Sequence, residues 1–576
     1  MIDFQAEIAG VVAGLPAIEE AGLSAADVLD LIEVPADSAK GDYAFPCFRL
    51  AKALRKAPPA IAADLVQQLG QKAPVGVSRI QAEGPYLNFF LDRALVARDV
   101  VGAVLEAGAA YGSATVAERR PVIVEFSSPN IAKPFHIGHI RSTVIGNSIE
   151  KIYRFLGYDT IRINHLGDYG TQFGKMIVAY RKWGSEEAVN AAPIESLISY
   201  YKKFHEEADS DPALEDEARE VFAALERGSE EELKLWQWFR EESLKEFGRV
   251  YDMLGITFDS YNGESFYSDK MERVTDELAE KGLLEESDGA QIVRLDAYNM
   301  PPAMIRKSDG STLYITRDIA AAIYRKETYD FAKNIYVVAS QQNLHFSQWF
   351  TVLRLMGYEW AADCVHIPFG LVSLEDGVMK SRLGNVVFLE DVLTRAVERT
   401  KEIIIEKNVN TDDIEETARQ VGIGAVIFNE LANNRIKDYV FRWEKVLNFD
   451  GETGPYVQYS HARAASVLRK AGAEADTVAA DGVNGECLSS DRAYPLVKLL
   501  GSFPAAIKEA GEKYEPSILT RHIIDVAQAF NRFYHDEQIL VEDAAERRAR
   551  IALVAAARQV IATGLGLLGV EAPDRM

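Results

Sequence analysis

Between residues 121 and 164 the spacing of apolar positions changes twice. Val122-Ile123-Val124-Glu125-Phe126 is a short apolar run suited to a buried strand. After a loop rich in serine, proline and asparagine, Ile137, Ile140, Val144, Ile145, Ile149, Ile152 and Leu156 recur at helical spacing. Gly157 is a helix stop, and Thr160-Ile161-Arg162-Ile163-Asn164 reads as the next strand. Strand, helix and strand in that order form a βαβ unit, which predicts a parallel sheet. The alternation resumes with a strand over 334–339, a helix over 348–356 and a strand over 365–369.

The flanks follow other patterns. Residues 1–115 mix helical periods with strand-like runs such as Tyr86-Leu87-Asn88-Phe89-Phe90-Leu91, and the polar stretch 112–120 meets Pro121 as a boundary. The acidic stretch near 185–250 reads as helices inserted after the first βαβ unit. From about 415 the pattern is almost entirely helical, with a Gly/Asp/Ser loop near 480–490. The expected architecture is multidomain: a small α+β N-terminal domain (1–115), a doubly wound, Rossmann-like α/β domain with a helical insertion (116–430), and an all-α C-terminal domain (431–576).

Composition narrows the class. The 576 residues are 48% hydrophobic and 26% charged, as in a soluble globular protein. No apolar stretch reads as long and charge-free enough to span a bilayer, so no membrane partner is expected. The N-terminus lacks the basic start and apolar run of a signal peptide. Cys47, Cys364 and Cys487 are far apart, form no metal-ligand spacing and read as small hydrophobes in a reducing compartment. A cytoplasmic location is expected. The net charge of −24 argues against a nucleic-acid partner, for which a basic chain is the first expectation. The acidity is concentrated in runs such as 206–216 and 230–246, which read as solvated helix faces, and local basic surface can still hold phosphates.

Candidate chemistry lies in the loop Ser127-Ser128-Pro129-Asn130-Ile131-Ala132-Lys133-Pro134-Phe135-His136-Ile137-Gly138-His139. It joins the carboxyl end of a strand to a helix start, the place where open α/β sheets bind ligands. The helix N-terminus offers free N–H groups to a polyphosphate. Gly138 leaves room for a nucleotide close to the backbone, His136 and His139 supply donors, and Lys133 supplies positive charge to a reacting phosphoryl group. Histidines three apart also suit a metal pair, but no carboxylate or cysteine cluster completes a site, and no metal is expected to be held by the protein.

His136-Ile137-Gly138-His139 resembles the His-Ile-Gly-His signature of class I aminoacyl-tRNA synthetases. The longer run from Glu125 to Pro134 is similar to the arginyl-tRNA synthetase version. Gly167-Asp168-Tyr169-Gly170-Thr171-Gln172-Phe173-Gly174 and Asp450-Gly451-Glu452-Thr453-Gly454-Pro455-Tyr456-Val457-Gln458-Tyr459 resemble further stretches of that family, in the right order. The resemblance implies an arginine–tRNA ligase that forms arginyl-adenylate from arginine and ATP and transfers arginine to the 3′-terminal adenosine of its tRNA. Class I membership implies the 2′-hydroxyl as acceptor, and similarity to this family implies activation that depends on bound tRNA. Mg²⁺ is expected only with ATP, no prosthetic group is expected, and the chain is expected to act as a monomer.

The resemblance also assigns residues. Lys133, His136 and His139 would be catalytic; His136, Gly138, His139, Met379, Lys380 and Arg382 would hold ATP. Glu125 and Asp318 would read the guanidinium, Tyr314 and Gln342 would complete that pocket, and Ser128 and Asn130 would hold the α-amino and carboxylate end. A planar guanidinium with five fixed donors needs such carboxylates. The residues themselves support some of these more than others. Glu125 closes an apolar strand, where a buried carboxylate needs a cationic partner, which the ligand could supply. Asp318 alone reads as a first-turn acid after Thr316 as N-cap. Gln341 is nearly equal to Gln342 on local pattern.

The second class I signature, Lys-Met-Ser-Lys-Ser, is degraded here to Val378-Met379-Lys380-Ser381-Arg382. In the family Lys133 looks like the substitute for the missing second lysine. For tRNA, Tyr456, Tyr459 and Arg463 fall on one helix face at spacings three and four, with Tyr534 and Met576 as further anticodon-end candidates. The N-terminal domain resembles the family's tRNA-elbow domain, with Tyr86, Asn88 and Phe90 on one strand face. Two rivals stand beside this reading. A small nucleotidyltransferase sharing the loop would not need the flanking domains, and a retired paralogue would not need to keep Lys133, His136, Gly138 and His139.

Overall fold

The computed structural model describes residues 2–35, 37–70, 72–117, 120–307, 314–374, 387–406, 411, 413–449 and 451–576. Two compact units divide the chain. One comprises Met1–Tyr111, Arg463–Phe503 and Asp525–Val560; the other comprises Gly112–Ala462, Pro504–Ile524 and Ile561–Met576.

In the first unit, β1 (Tyr43–Pro46), β2 (Val77–Glu83) and β3 (Tyr86–Leu91) form an antiparallel sheet with β3 in the centre. Strand alternation sends Leu87, Phe89 and Leu91 into the core. Tyr86, Asn88 and Phe90 fall on the opposite face. Asn88 is nevertheless buried, its Nδ2 donating to Glu83 Oε2 at 3.4 Å.

In the second unit, β4 (Val122–Glu125) and β5 (Thr160–Ile163) are joined by the helix Ile140–Phe155. Gly146 lets that helix press onto the strand, since a Cβ there would lie 2.1 Å from Phe126 Cβ. Gly157 ends the turn after the helix at φ +89°, beside the Ala114 carbonyl. A small antiparallel sheet follows, β6 (Glu285–Ser287), β7 (Ala290–Val293) and β8 (Ala303–Arg306), which the apolar pattern did not announce. Then come β9 (Lys333–Ala339) and β10 (Cys364–Phe369). The main sheet runs β10-β9-β4-β5, with every neighbouring pair parallel. A core including Ile123, Ile319, Tyr336, Trp349 and Val352 fills one side of it. The expected doubly wound domain is what the chain forms.

The inserted helices are Glu186–Ala191, Pro193–Ala208, Ala213–Glu226 and Glu230–Leu254. Phe204, Leu214 and Ala218 pack with Val178 and Ala179 of the preceding helix Thr171–Trp183 as a small separate core. Their acidity is not all solvated: Glu232 is buried and accepts from Arg181 Nη2 at 2.7 Å.

Four details differ from expectation. The helix expected over 348–356 spans Asn343–Leu355, and the largely helical C-terminal part contains one strand, β12 (Tyr439–Phe441), paired in parallel with β11 (Val372–Leu374). The helix Ala544–Leu567 is, by length and mean hydropathy of 1.3, apolar enough to cross a membrane. Its Ile551, Leu553, Val554, Val560 and Leu565 are instead buried in the protein, as in a core helix. Cys47 and Cys364 are buried, but Cys487 is only partly so.

Candidate active site

β4 sits where the sheet reverses direction: its chain continues to β5 on one side, while β9 lies on the other. The loop leaving β4 therefore opens at the topological switch point. Its backbone is strained, with Ser127, Ser128 and Ala132 at φ +68°, +48° and +56°. Each such non-glycine residue costs about 1–3 kcal/mol. Buried hydroxyls hold the strain in place. Ser127 N donates to Ser142 Oγ at 2.9 Å, and Ser127 Oγ meets Thr143 Oγ1 at 2.9 Å and Tyr251 OH at 2.8 Å. Ala132 N donates to Ser243 Oγ at 2.9 Å, so the inserted helix Glu230–Leu254 braces the loop.

The two histidines follow as one turn of 3₁₀ helix, Ile137–His139, leading into the Ile140 helix. Gly138 N donates to His136 Nδ1 at 3.0 Å, which leaves the proton of the neutral ring on Nε2. His139 Nδ1 sits 3.1 Å from His136 N and 3.2 Å from His136 O, so its Nε2 is also the nitrogen left for a ligand. Burial lowers the His136 imidazole, and burial with the neighbouring His136 pushes His139 down to about 3. Both rings are thus neutral at pH 7, and His136 presents its Nε2–H as a donor. The space beside Gly138 is not empty: a Cβ there would lie 2.7 Å from His136 Cε1, so the glycine makes room for the imidazole.

Lys133 is exposed on the same loop. Met379, Lys380 and Arg382 lie outside the described residues. The chain just after that stretch is bonded to the residues around the histidines: Ile137 N donates to Val387 O at 3.2 Å, and Leu389 N donates to Phe135 O at 2.9 Å. On the other side, the fully buried Arg141 donates through Nη1 to Gly370 O and Lys437 O, both at 2.8 Å.

Several of the residues expected to hold the amino acid stand at or just past the ends of β4 and β9. Glu125 has the cationic partner its burial demands, but the chain supplies it: Arg325 Nη2 lies 2.6 Å from Glu125 Oε2. His165, just past β5, feels the charges of Glu125, Arg325, Asp318 and Asp168, and burial holds its imidazole low. Asp318 accepts from His345 Nε2 on the helix Asn343–Leu355. Glu264 lies 3.1 Å from Arg317 Nη1, and burial pushes its carboxyl up to about 7, with Arg317 opposing and Asp318 and Asp168 adding to the rise. The charge of Lys133 opposes that rise as well.

Tyr314 opens the helix Tyr314–Tyr329 and is 60% exposed, and Gln342 is exposed in the turn after β9, as is Gln341. Thr316 is not the N-cap expected for this helix; it lies inside the first turn, and its hydroxyl donates to Ile305 O at 2.7 Å. Ser128 Oγ is engaged by the protein, accepting from His165 N at 3.2 Å. Asn130 is exposed and bridges to Gly167, where a Cβ would lie 1.9 Å from Asn130 Oδ1. Arg325, His165, Glu264 and His345 were missed from sequence. Behind Asp168 a cavity of about 760 Å³ is lined by Tyr169, Trp236, Arg240, Phe266 and Arg306 among others. Among the described residues no group of three or more His, Cys, Asp or Glu is gathered as for a metal.

Residues 100–443 match the model of the class I tRNA synthetase (R) catalytic domain, 457–576 that of the DALR anticodon-binding domain, and 6–91 that of the arginyl tRNA synthetase N-terminal domain. The chain belongs to the arginyl-tRNA synthetase family. It is 54% identical over 576 residues to the arginine–tRNA ligase of Halothermothrix orenii, covering 100% of both chains. It is 57% identical over 555 residues to that of Clostridioides difficile, covering 96% of this chain and 97% of the other. The solved arginyl-tRNA synthetase of Thermus thermophilus superposes with a TM-score of 0.81 at 27% identity, covering 100% of both chains. That of Plasmodium falciparum gives 0.80 at 25%, covering 95% of this chain and 94% of the other.

In the regions matched to the family's N-terminal and anticodon-binding domains, the candidate tRNA contacts are placed unevenly. Phe90 lies under the Arg79 guanidinium, 3.7 Å from its ring centre. Tyr86 packs edge-on against Phe48, which is 45% exposed. Buried Asn88 offers the least surface of the three. Tyr456, Tyr459 and Arg463 all belong to the helix Gly454–Ala471; Tyr459 is 40% exposed and Tyr456 half-buried. Arg463 lies 5.2 Å from the Tyr534 ring centre and donates to Asn531 Oδ1. Met576 is half-buried.

Proposed function

We propose that the loop leaving β4 and the strand ends beside it form the activation site for the reaction of this family. That reaction, ATP-dependent arginylation of tRNA, is the activity of the chain. The observation that carries the site assignment is the loop's place at the switch point of the parallel sheet, ending in a turn whose Gly138 N–H donates to His136 Nδ1 at 3.0 Å.

Arginine would lie with its guanidinium toward Asp318 and its α-end toward Asn130, with Glu125 and Glu264 adding negative charge along the way. Its α-carboxylate attacks the ATP α-phosphorus and pyrophosphate leaves, giving arginyl-adenylate. The Nε2–H donor on neutral His136, with His139 and Lys133, stabilises charge that grows on the phosphoryl oxygens in the transition state. The terminal 2′-hydroxyl of tRNA then attacks the acyl carbon and AMP leaves. Mg²⁺ enters with ATP as part of that substrate. Tyr459, Tyr534 and Arg463 suit stacking and phosphate contact at the anticodon end, and the Phe90–Arg79 face suits the elbow. The protein works as a monomer in the cytoplasm.

His136→Ala, assayed with tRNA present, tests the assignment. Arginyl-adenylate formation should collapse while tRNA binding is kept. Equal loss of both makes His136 a structural residue.

A further inference from the structure

Arg325 meets Glu125 through a single close contact, its Nη2 to Glu125 Oε2, and its side chain has no exposed surface. The rest of the guanidinium faces aromatic rings and the Tyr267 hydroxyl. Its Cζ lies 5.4 Å from the Tyr336 ring centre, Nη2 is 3.5 Å from His165 Nδ1, and Nε and Nη1 make no hydrogen bond among the described residues. A pair built this way is a poor stabiliser. Two ions taken from water, with donors left over, commonly do no better than apolar residues of the same volume. Compared with an apolar pair, stability alone therefore does not explain why Glu125 and Arg325 stand here together.

Their place does. Asp318 and Arg325 are seven residues apart on the helix Tyr314–Tyr329, two turns, and so share a face. One face of one helix carries both a carboxylate of the proposed arginine site and the cation that holds a second one. Through that cation, Glu125 at the end of β4 and His165 past the end of β5 are drawn to the same helix.

We infer that Arg325 is a positioning residue of the arginine site. It holds the Glu125 carboxylate in one orientation before substrate arrives, so that arginine meets a fixed acceptor rather than a mobile one. This rests on the reading that Glu125 faces the arginine.

The test is steady-state aminoacylation by the full chain with Glu125→Gln, Arg325→Lys and the double variant. A lysine keeps a charge but loses the planar fork. Each single change should raise the arginine KM about tenfold or more while the ATP KM moves by less than about twofold. The double variant should cost no more than the costlier single, because the two side chains act as a unit.

If Glu125→Gln leaves the arginine KM unchanged, the reading of Glu125 falls and the inference with it. If Glu125→Gln raises it and Arg325→Lys does not, Arg325 alone loses its role. Should Arg325→Lys fail to fold by circular dichroism, Glu125→Gln/Arg325→Met, which removes both charges, takes its place. Its arginine KM should match that of Glu125→Gln alone; a further rise overturns the inference.

Discussion

Gly138 and His136 are fitted to one another: the Gly138 N–H donates to His136 Nδ1 at 3.0 Å, and a Cβ on Gly138 would sit 2.8 Å from that same nitrogen. The glycine thus sets both the tautomer and the position of the ring. Gly138→Ala should push the imidazole aside. A misplacement of about 1 Å can cost about 100-fold in rate, so arginyl-adenylate formation should fall by about that factor with tRNA binding kept. Pre-steady-state adenylate formation beside filter binding of tRNA checks this. A rate within twofold of the parent would show that the ring tolerates the methyl group.

Asp318 is held by His345, so its carboxylate is oriented before any ligand arrives. Asp318→Asn removes the charge at nearly constant shape. Losing one charged partner of a guanidinium costs about 2 kcal/mol or more, roughly 30-fold in arginine KM. The ATP KM should change far less. Kinetics with each substrate varied in turn separates the two, and an unchanged arginine KM would return Asp318 to an ordinary helix-start acid.

Glu430 is fully buried 3.5 Å from Arg141 Nε, and burial pushes its carboxyl up to about 8 against the pull of that arginine. The folded state therefore keeps a proton between pH 4.5 and about 8 that the unfolded chain has already lost. Across that window stability contributed by Glu430 falls as pH rises, by at most about 1.4 kcal/mol per pH unit. Glu430→Gln cannot release this proton. The variant should gain stability relative to the parent from pH 5 to pH 8, read from denaturant midpoints. A pH-independent offset between the two would mean Glu430 titrates alike in both states.

Much of the fold was legible because its strongest signals are local. The run 86–91 and the βαβ unit from 122 to 163 carry their period in a dozen or so consecutive residues. The short sheet β6–β8 carries no such run: Glu285-Glu286-Ser287 is polar, and only its pairing with β7 makes it a strand. The site divides the same way. His136, Gly138 and His139 announce themselves within four residues. Arg325 meets Glu125 across 200 residues of chain and His165 meets Arg325 across 160, so no window of sequence contains either pair. The one available signal was helical: Arg325 stands two turns beyond Asp318. Thr316 misled for a related reason, since its hydroxyl is spent on the Ile305 carbonyl rather than on a cap.

The most direct test of the whole account is aminoacylation by the purified, folded protein with each amino acid in turn, with and without ATP and arginine-accepting tRNA. The account predicts that arginine alone is esterified to tRNA, and only when ATP is present. A folded preparation that binds tRNA and ATP but charges no arginine would contradict it.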